Sequence, residues 1–176
     1  MSSPTALILA LLTALPAVAS SQAIAFSQHG SVTQTVAFTE LSIEYNRPVA
    51  RGRELFGTLV PWNKVWHPGA DSASSISFSK DVLLEGRSVA AGRYSLWIIP
   101  RPRGVWTVIL SRAADVFHTP YPGEEHDAYR FEVAPEKGDH METLAWYFPE
   151  VSWDTAVLRF HWGEVMLGLR IKAPAK

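Results

Sequence analysis

Residues 86–110 hold the feature that most constrains the fold. The run from Gly86 to Pro100 includes Arg93-Tyr94-Ser95-Leu96-Trp97-Ile98-Ile99, and after Arg101-Pro102-Arg103-Gly104 the chain resumes as Val105-Trp106-Thr107-Val108-Ile109-Leu110. Aromatic and β-branched residues favour extended backbone, and the intervening prolines and glycine cannot continue a strand, so the segment reads as a β-hairpin. Tyr94, Leu96 and Ile98 share one face, and Ser95, Trp97 and Ile99 the other. Apart from residues 5–18, no stretch of ten residues shows a 3.6-residue apolar period. Parallel strands need crossover helices, so their lack predicts an antiparallel, all-β fold: a β-sandwich, jelly-roll-like, of nine or ten strands in one domain.

The other strands follow from the same alternation. Val32, Val36 and Phe38 lie among polar residues, and Leu41, Ile43 and Tyr45 alternate with Ser42, Glu44 and Asn46 until Asn46-Arg47-Pro48 ends the run. Further strands are expected at Ser74–Ser79, Val82–Glu85, Ala128–Ala134, Met141–Phe148, Thr155–Trp162 and Val165–Lys172, with Gly86-Arg87 turning the chain into the hairpin. If Gly163-Glu164 is a two-residue turn, the last two strands pair Trp162 with Val165, Phe160 with Leu167, Leu158 with Leu169 and Ala156 with Ile171. All four pairs are apolar. Two long irregular segments, 47–73 and 111–127, are too long to be mere connectors and are expected to pack over the sheet or carry function.

Composition enters where stability and partners are concerned. Hydrophobic residues make up 47 % of the 176, including seven Trp, eight Phe and five Tyr, which excludes disorder. A formal net charge of -1 gives no electrostatic basis for nucleic-acid binding. Residues 5–18 are small and apolar and lead into Ala17-Val18-Ala19, so residues 1–19 are expected to be a secretory signal peptide; the run is too short to span a membrane. Residues 20–30 then form a flexible lead-in, and 31–173 the β-sandwich domain. The product is expected to be secreted or periplasmic, with no membrane span once the signal is removed. The chain has no cysteine, which excludes disulfides, thiolate catalysis and an acylated cysteine.

Tyr45-Asn46-Arg47-Pro48, Arg53-Glu54-Leu55-Phe56-Gly57, Val65-Trp66 with Gly69-Ala70, Ser75-Ile76-Ser77-Phe78, Ala91-Gly92-Arg93-Tyr94-Ser95-Leu96, Ile99-Pro100 and Trp106-Thr107-Val108-Ile109 resemble, in order and spacing, the exported bacterial family catalogued as domain of unknown function 2911. The resemblance spans about Leu41 to Ile171. It implies a small exported β-protein and no mechanism. After Trp66 the chain departs from the family pattern, with His67-Pro68-Gly69-Ala70-Asp71 where that pattern has Arg-Thr-Gly-Ala-Asn; Phe117-His118-Thr119-Pro120-Tyr121 is a second departure.

Several groups compete for chemistry. Arg47, Arg53, Trp66, His67 and Asp71 offer guanidinium forks, an indole face and a His-Asp pair, a set suited to an anionic or sugar ligand. The structural alternative has Arg47 and Arg53 paired with Glu44, Glu54 or Asp71, and Trp66 in the core. Trp97 is either a stacking platform or buried on both faces of its strand. His118, Glu124, Glu125, His126 and Asp127 have metal-ligating chemistry, but in neither zincin nor EF-hand spacing, and Asp139-His140 is weaker still. No cofactor is expected. Gly86-Arg87-Ser88 lacks the second glycine of a nucleophile elbow. The expected function is a binding module for a small molecule or glycan of the cell envelope. The alternatives are a hydrolase or metal-assisted enzyme using His67 and Asp71, and an envelope structural or interaction protein.

Overall fold

A computed structural model of the chain describes residues 27–175; the signal peptide expected at 1–19, and most of the lead-in, lie outside them. The chain is all-β, as the alternation requires. Among the described residues, β1 (Gln28–Val36), β2 (Thr39–Arg47), β3 (Ser75–Phe78), β4 (Val82–Leu84), β5 (Arg87–Val89), β6 (Gly92–Ile99), β7 (Trp106–Ser111), β8 (Asp127–Val133), β9 (Glu136–Val151) and β10 (Thr155–Lys172) form two antiparallel sheets. One has the order β1-β2-β3-β6-β7-β8, the other β5-β4-β10-β9. A 3-10 turn, Glu124–His126, precedes β8. Pairing begins at Gln28, so residues 28–30 belong to a strand and not to the lead-in expected over 20–30.

The central hairpin is β6 and β7, joined with Leu96 opposite Leu110 and Ile98 opposite Val108. Tyr94, Leu96 and Ile98 enter the core between the sheets with Leu41, Ile43, Ile76 and Phe78 from one side and Leu158, Phe160, Leu167 and Leu169 from the other. The hairpin is shorter than expected. Residues 87–89 pair with β4 in the other sheet, because Glu85 and Gly86, with φ of 48° and 76°, form a tight turn of the primed type. The chain changes sheets between Val89 and Gly92.

The paired strands expected at 155–162 and 165–172 are instead one continuous strand, β10, and Gly163-Glu164 is no turn. β10 pairs with β9 along most of its length, with Phe160 opposite Trp146, and reaches β4 at Ile171. Its buried hydrophobic side chains switch from even (Ala156, Leu158, Phe160, Trp162) to odd numbers (Leu167, Leu169, Ile171). The ladder is irregular on both sides of Gly163, whose φ is 58°. The left-handed backbone at Gly163 breaks the two-residue alternation of β10. The extra residues of the irregular ladder fall on β9, which runs from Ala145 to Met141 to Lys137 as β10 runs from His161 to Gly163 to Val165; both halves of β10 thus keep their apolar face inward. A two-residue turn produces the same parity switch, which is why the sequence supports either geometry.

β9 is an edge strand, and its outer backbone groups are met from β2 and the following loop. Trp146 N–H donates to Tyr45 Oη (3.0 Å), which donates back to the Trp146 carbonyl (3.2 Å). Arg47 Nε donates to the Leu144 carbonyl (3.1 Å), and Val49 bridges to Thr143. These contacts close one side of the sandwich and occupy an edge that would otherwise invite pairing.

Candidate functional site

The 47–73 segment packs over the open side of the core. Leu55 and Val60 are buried in it, and Phe56, Trp62 and Trp66 pack against it. Trp66 exchanges two backbone hydrogen bonds with Ile98, both 2.8 Å, and the next donor on that edge of β6, Leu96 N–H, goes to the Ser74 carbonyl (2.8 Å). Residues 67–73 therefore leave the sheet and return between consecutive ladder positions. The neck of this excursion is closed by His67, whose Nε2 accepts the Ser74 N–H at 2.5 Å, while Ser74 Oγ donates to the Pro68 carbonyl at 2.9 Å.

The 111–127 segment covers the outer face of the same sheet. It brings Val116 and Tyr121 over a small second core of Ala73, Trp97 and Ile109. Trp97 is 1 % exposed and donates through Nε1 to Ser95 Oγ (2.9 Å). It is thus buried on the outer face of its strand and is no stacking platform, because a loop covers that face. The two segments meet at Asp71, whose carbonyl accepts both the backbone N–H (2.9 Å) and Nδ1–H (2.6 Å) of His118.

Where they meet lies a cleft of about 560 Å³. Its walls include Val49, Leu59, Val60, Val65 and Trp66, with Arg51, Arg53, His67, Asp71 and His118 as the charged or titratable groups and Trp162 beneath. The Trp66 and Trp162 rings are nearly parallel, 6.0 Å apart. Arg53 is anchored by Nε to the Ala50 carbonyl (2.8 Å) and by Nη2 to the Val49 carbonyl (2.7 Å). Arg51 sits beside Glu142, which accepts the Arg51 backbone N–H at 2.6 Å; bonding to His140 and to this N–H holds the Glu142 carboxyl below its ordinary range.

His67 is 3 % exposed, and burial, helped by nearby His118, lowers its pKa from 6.5 to about 3. It is therefore neutral at physiological pH. Because Nε2 accepts from Ser74, the proton resides on Nδ1, which has no hydrogen-bond partner among the described residues. The His118 ring lies 6.0 Å away, tilted by 23°.

Of the residues expected at a site, Arg53, Trp66, His67 and Asp71 line the cleft, and His118 joins them from the second loop. Arg47 does not, since its guanidinium is turned to β9. The acid partners considered for the arginines are engaged elsewhere: Glu44 with Arg93 (2.9 Å) and Glu54 with the Thr58 hydroxyl (2.9 Å). The His67–Asp71 pair does not form: the hydrogen-bond partner of the His67 ring is Ser74, and Asp71 meets His118 through its backbone carbonyl. Ser74 Oγ is 3.2 Å from His67 Nε2, but the Ser74 N–H occupies that nitrogen and the hydroxyl proton goes to Pro68. No activated serine results.

The possible metal set His118, Glu124, His126 and Asp127 is not assembled. Asp127 is bound by the Tyr121 hydroxyl and by Arg130 (2.7 Å), and Glu124 pairs with Arg130 (2.9 Å), so the acids serve a local ion-pair network. Burial and the Asp127 bond push the Tyr121 phenol up to about 12. Among the described residues no cluster of three or more His, Asp or Glu is placed to hold a metal. Sequence reasoning missed Val49, Leu59, Val60 and Trp162 as lining residues. Their apolar character marks them only as core formers, and nothing local distinguishes a cleft wall from a core.

No curated protein and no solved structure matches the chain. Over residues 27–171, which carry both loops and the whole sandwich, the chain matches the family model described as protein of unknown function (DUF2911), and it belongs to that family.

Proposed function

We propose that this protein is an exported binding module that holds a small organic molecule, a glycan or another ligand of the cell envelope, in the cleft between the 47–73 loop and His118. The observation that carries this reading is the unpartnered Nδ1–H of His67, a side chain only 3 % exposed, in the wall of a preformed cleft. A volume of about 560 Å³ is that of a small-molecule site, and apolar walls with a few fixed polar groups are its usual composition. Nδ1–H of His67 is not among the polar atoms sealed from solvent without a partner, so it remains accessible where His67 lines the cleft, and a bound ligand would supply its acceptor.

The hydrolase alternative draws no support from the Ser74–His67 contact, since both groups are occupied by neighbouring backbone. Thermal-shift screening of the purified protein against glycans, peptides, organic acids and divalent metals tests the binding reading. A ligand raises the melting temperature by mass action, and His67→Gln reduces the rise. A flat response across every class would overturn it.

A further inference from the structure

Resting on the reading of the cleft as a binding site, its polar chemistry narrows what can occupy it. Among its lining residues Asp71 is the one acid, set against Arg51, Arg53 and the imidazoles of His67 and His118. Arg53 is the informative member. Its two hydrogen bonds go to the neutral carbonyls of Val49 and Ala50, and it forms no ion pair among the described residues. The guanidinium is thus fixed in place without being neutralised, and Nη1 is left over. A fork held this way loses little further freedom when it meets a planar anion.

His67 adds a second, independent requirement. Its lone pair is occupied by the Ser74 N–H, so it can offer a ligand only a donor. That orientation also removes it as a metal ligand through Nδ1, which carries the proton. Both groups ask for acceptor oxygens, while Val49, Leu59, Val60, Val65 and Trp66 ask for an apolar surface.

We propose that the cleft recognises a carboxylate-bearing molecule with an apolar face, its carboxylate paired with Arg53 and a further acceptor oxygen on Nδ1–H of His67. The carboxylate is the shared chemistry, and two kinds of body carry one beside an apolar face: an acidic sugar, whose C–H face can lie on an indole, and a hydrophobic acid.

The test is titration calorimetry with two acids and their neutral counterparts: digalacturonate with its dimethyl ester, and 4-phenylbutyrate with 4-phenylbutyramide. At least one acid is expected to bind about tenfold or more tightly than its counterpart, which is the scale of a charge-assisted pair. Which acid does so identifies the body. Arg53→Met should abolish the preference of acid over neutral counterpart, and Arg53→Lys, retaining the charge without the fork, should fall between. Arg53 is exposed, so both variants should fold. If the neutral partners bind as tightly as the acids, or Arg53→Met keeps the preference, the anion assignment is overturned and the cleft remains a binding site for something else. If neither acid binds, the assignment is overturned as well, and the broader thermal-shift screen decides separately whether the cleft binds at all.

Discussion

Ser74 gives its backbone N–H to Nε2 of His67 at 2.5 Å, closing the neck of the seven-residue excursion that ends at Ser74. This bond has structural and chemical consequences together. It ties the end of the 47–73 loop to the residue before β3, and it fixes the imidazole as the Nδ1–H tautomer. The donor comes from the main chain, so no side-chain substitution at position 74 short of proline removes it.

The lowered pKa of His67 predicts the pH dependence of stability. The unfolded imidazole takes up a proton below about pH 6.5, whereas the folded one resists until about pH 3. The unfolded state therefore binds more protons throughout that interval. The stability of the buried neutral form is complete above pH 6.5 and is lost as pH falls toward 3, at up to about 1.4 kcal/mol per pH unit. Urea denaturation of the protein and of His67→Gln at pH 7, 5 and 4 isolates the effect, because other groups titrate alike in both. The stability gap between them should narrow as the pH drops; a constant gap would refute the assignment.

Ser74→Ala separates structure from catalysis. The variant loses the 2.9 Å bond from Oγ to the Pro68 carbonyl but keeps the N–H that orients His67. A cost of about 1 kcal/mol is expected from denaturant midpoints, with ligand-induced thermal shifts unchanged. Loss of a measurable turnover in this variant, with binding intact, would instead restore the serine to a chemical role.

Tyr45→Phe probes how the β9 edge is closed. The Tyr45 hydroxyl serves both the N–H and the carbonyl of buried Trp146, and phenylalanine preserves the ring while leaving both groups unmet. Destabilisation of about 1–3 kcal/mol is expected, with an unchanged denaturant slope. A neutral result would mean that water replaces the hydroxyl at that edge.

Strand existence was legible in the sequence because a sheet with one buried face writes period-two alternation into the chain. Tyr94, Leu96 and Ile98 needed nothing else. The fate of Trp97 was not legible from its strand, since burial on the outer face depends on Val116 and Tyr121 folding back from a loop about twenty residues later. The cleft was half legible. Arg53, Trp66, His67 and Asp71 stand close in sequence and announce themselves by chemistry, whereas His118 reaches the site only because its N–H groups find the Asp71 carbonyl. Long-range pairing of this kind leaves no local pattern. Gly163 is the clearest ambiguity, because a turn and a left-handed break within a strand favour the same residue type and give the same change of phase.

Gly163→Ala tests the backbone conformation on which β10 depends. At φ of 58° the residue is left-handed, a region that costs an L-residue with a Cβ roughly 1–2 kcal/mol. An added Cβ would also stand 2.8 Å from Cδ1 of Leu55, which can yield by rotating, so the backbone cost dominates. Leu55 belongs to the segment that builds the cleft, and its displacement should also weaken ligand binding. The expected outcome is a loss of about 1–3 kcal/mol in urea denaturation. Cross-strand nuclear Overhauser contacts between Trp146 and Phe160 should persist, as the two residues face each other across β9 and β10. Contacts between the backbones of Leu158 and Leu169 would instead indicate the two-strand hairpin and refute the continuous strand.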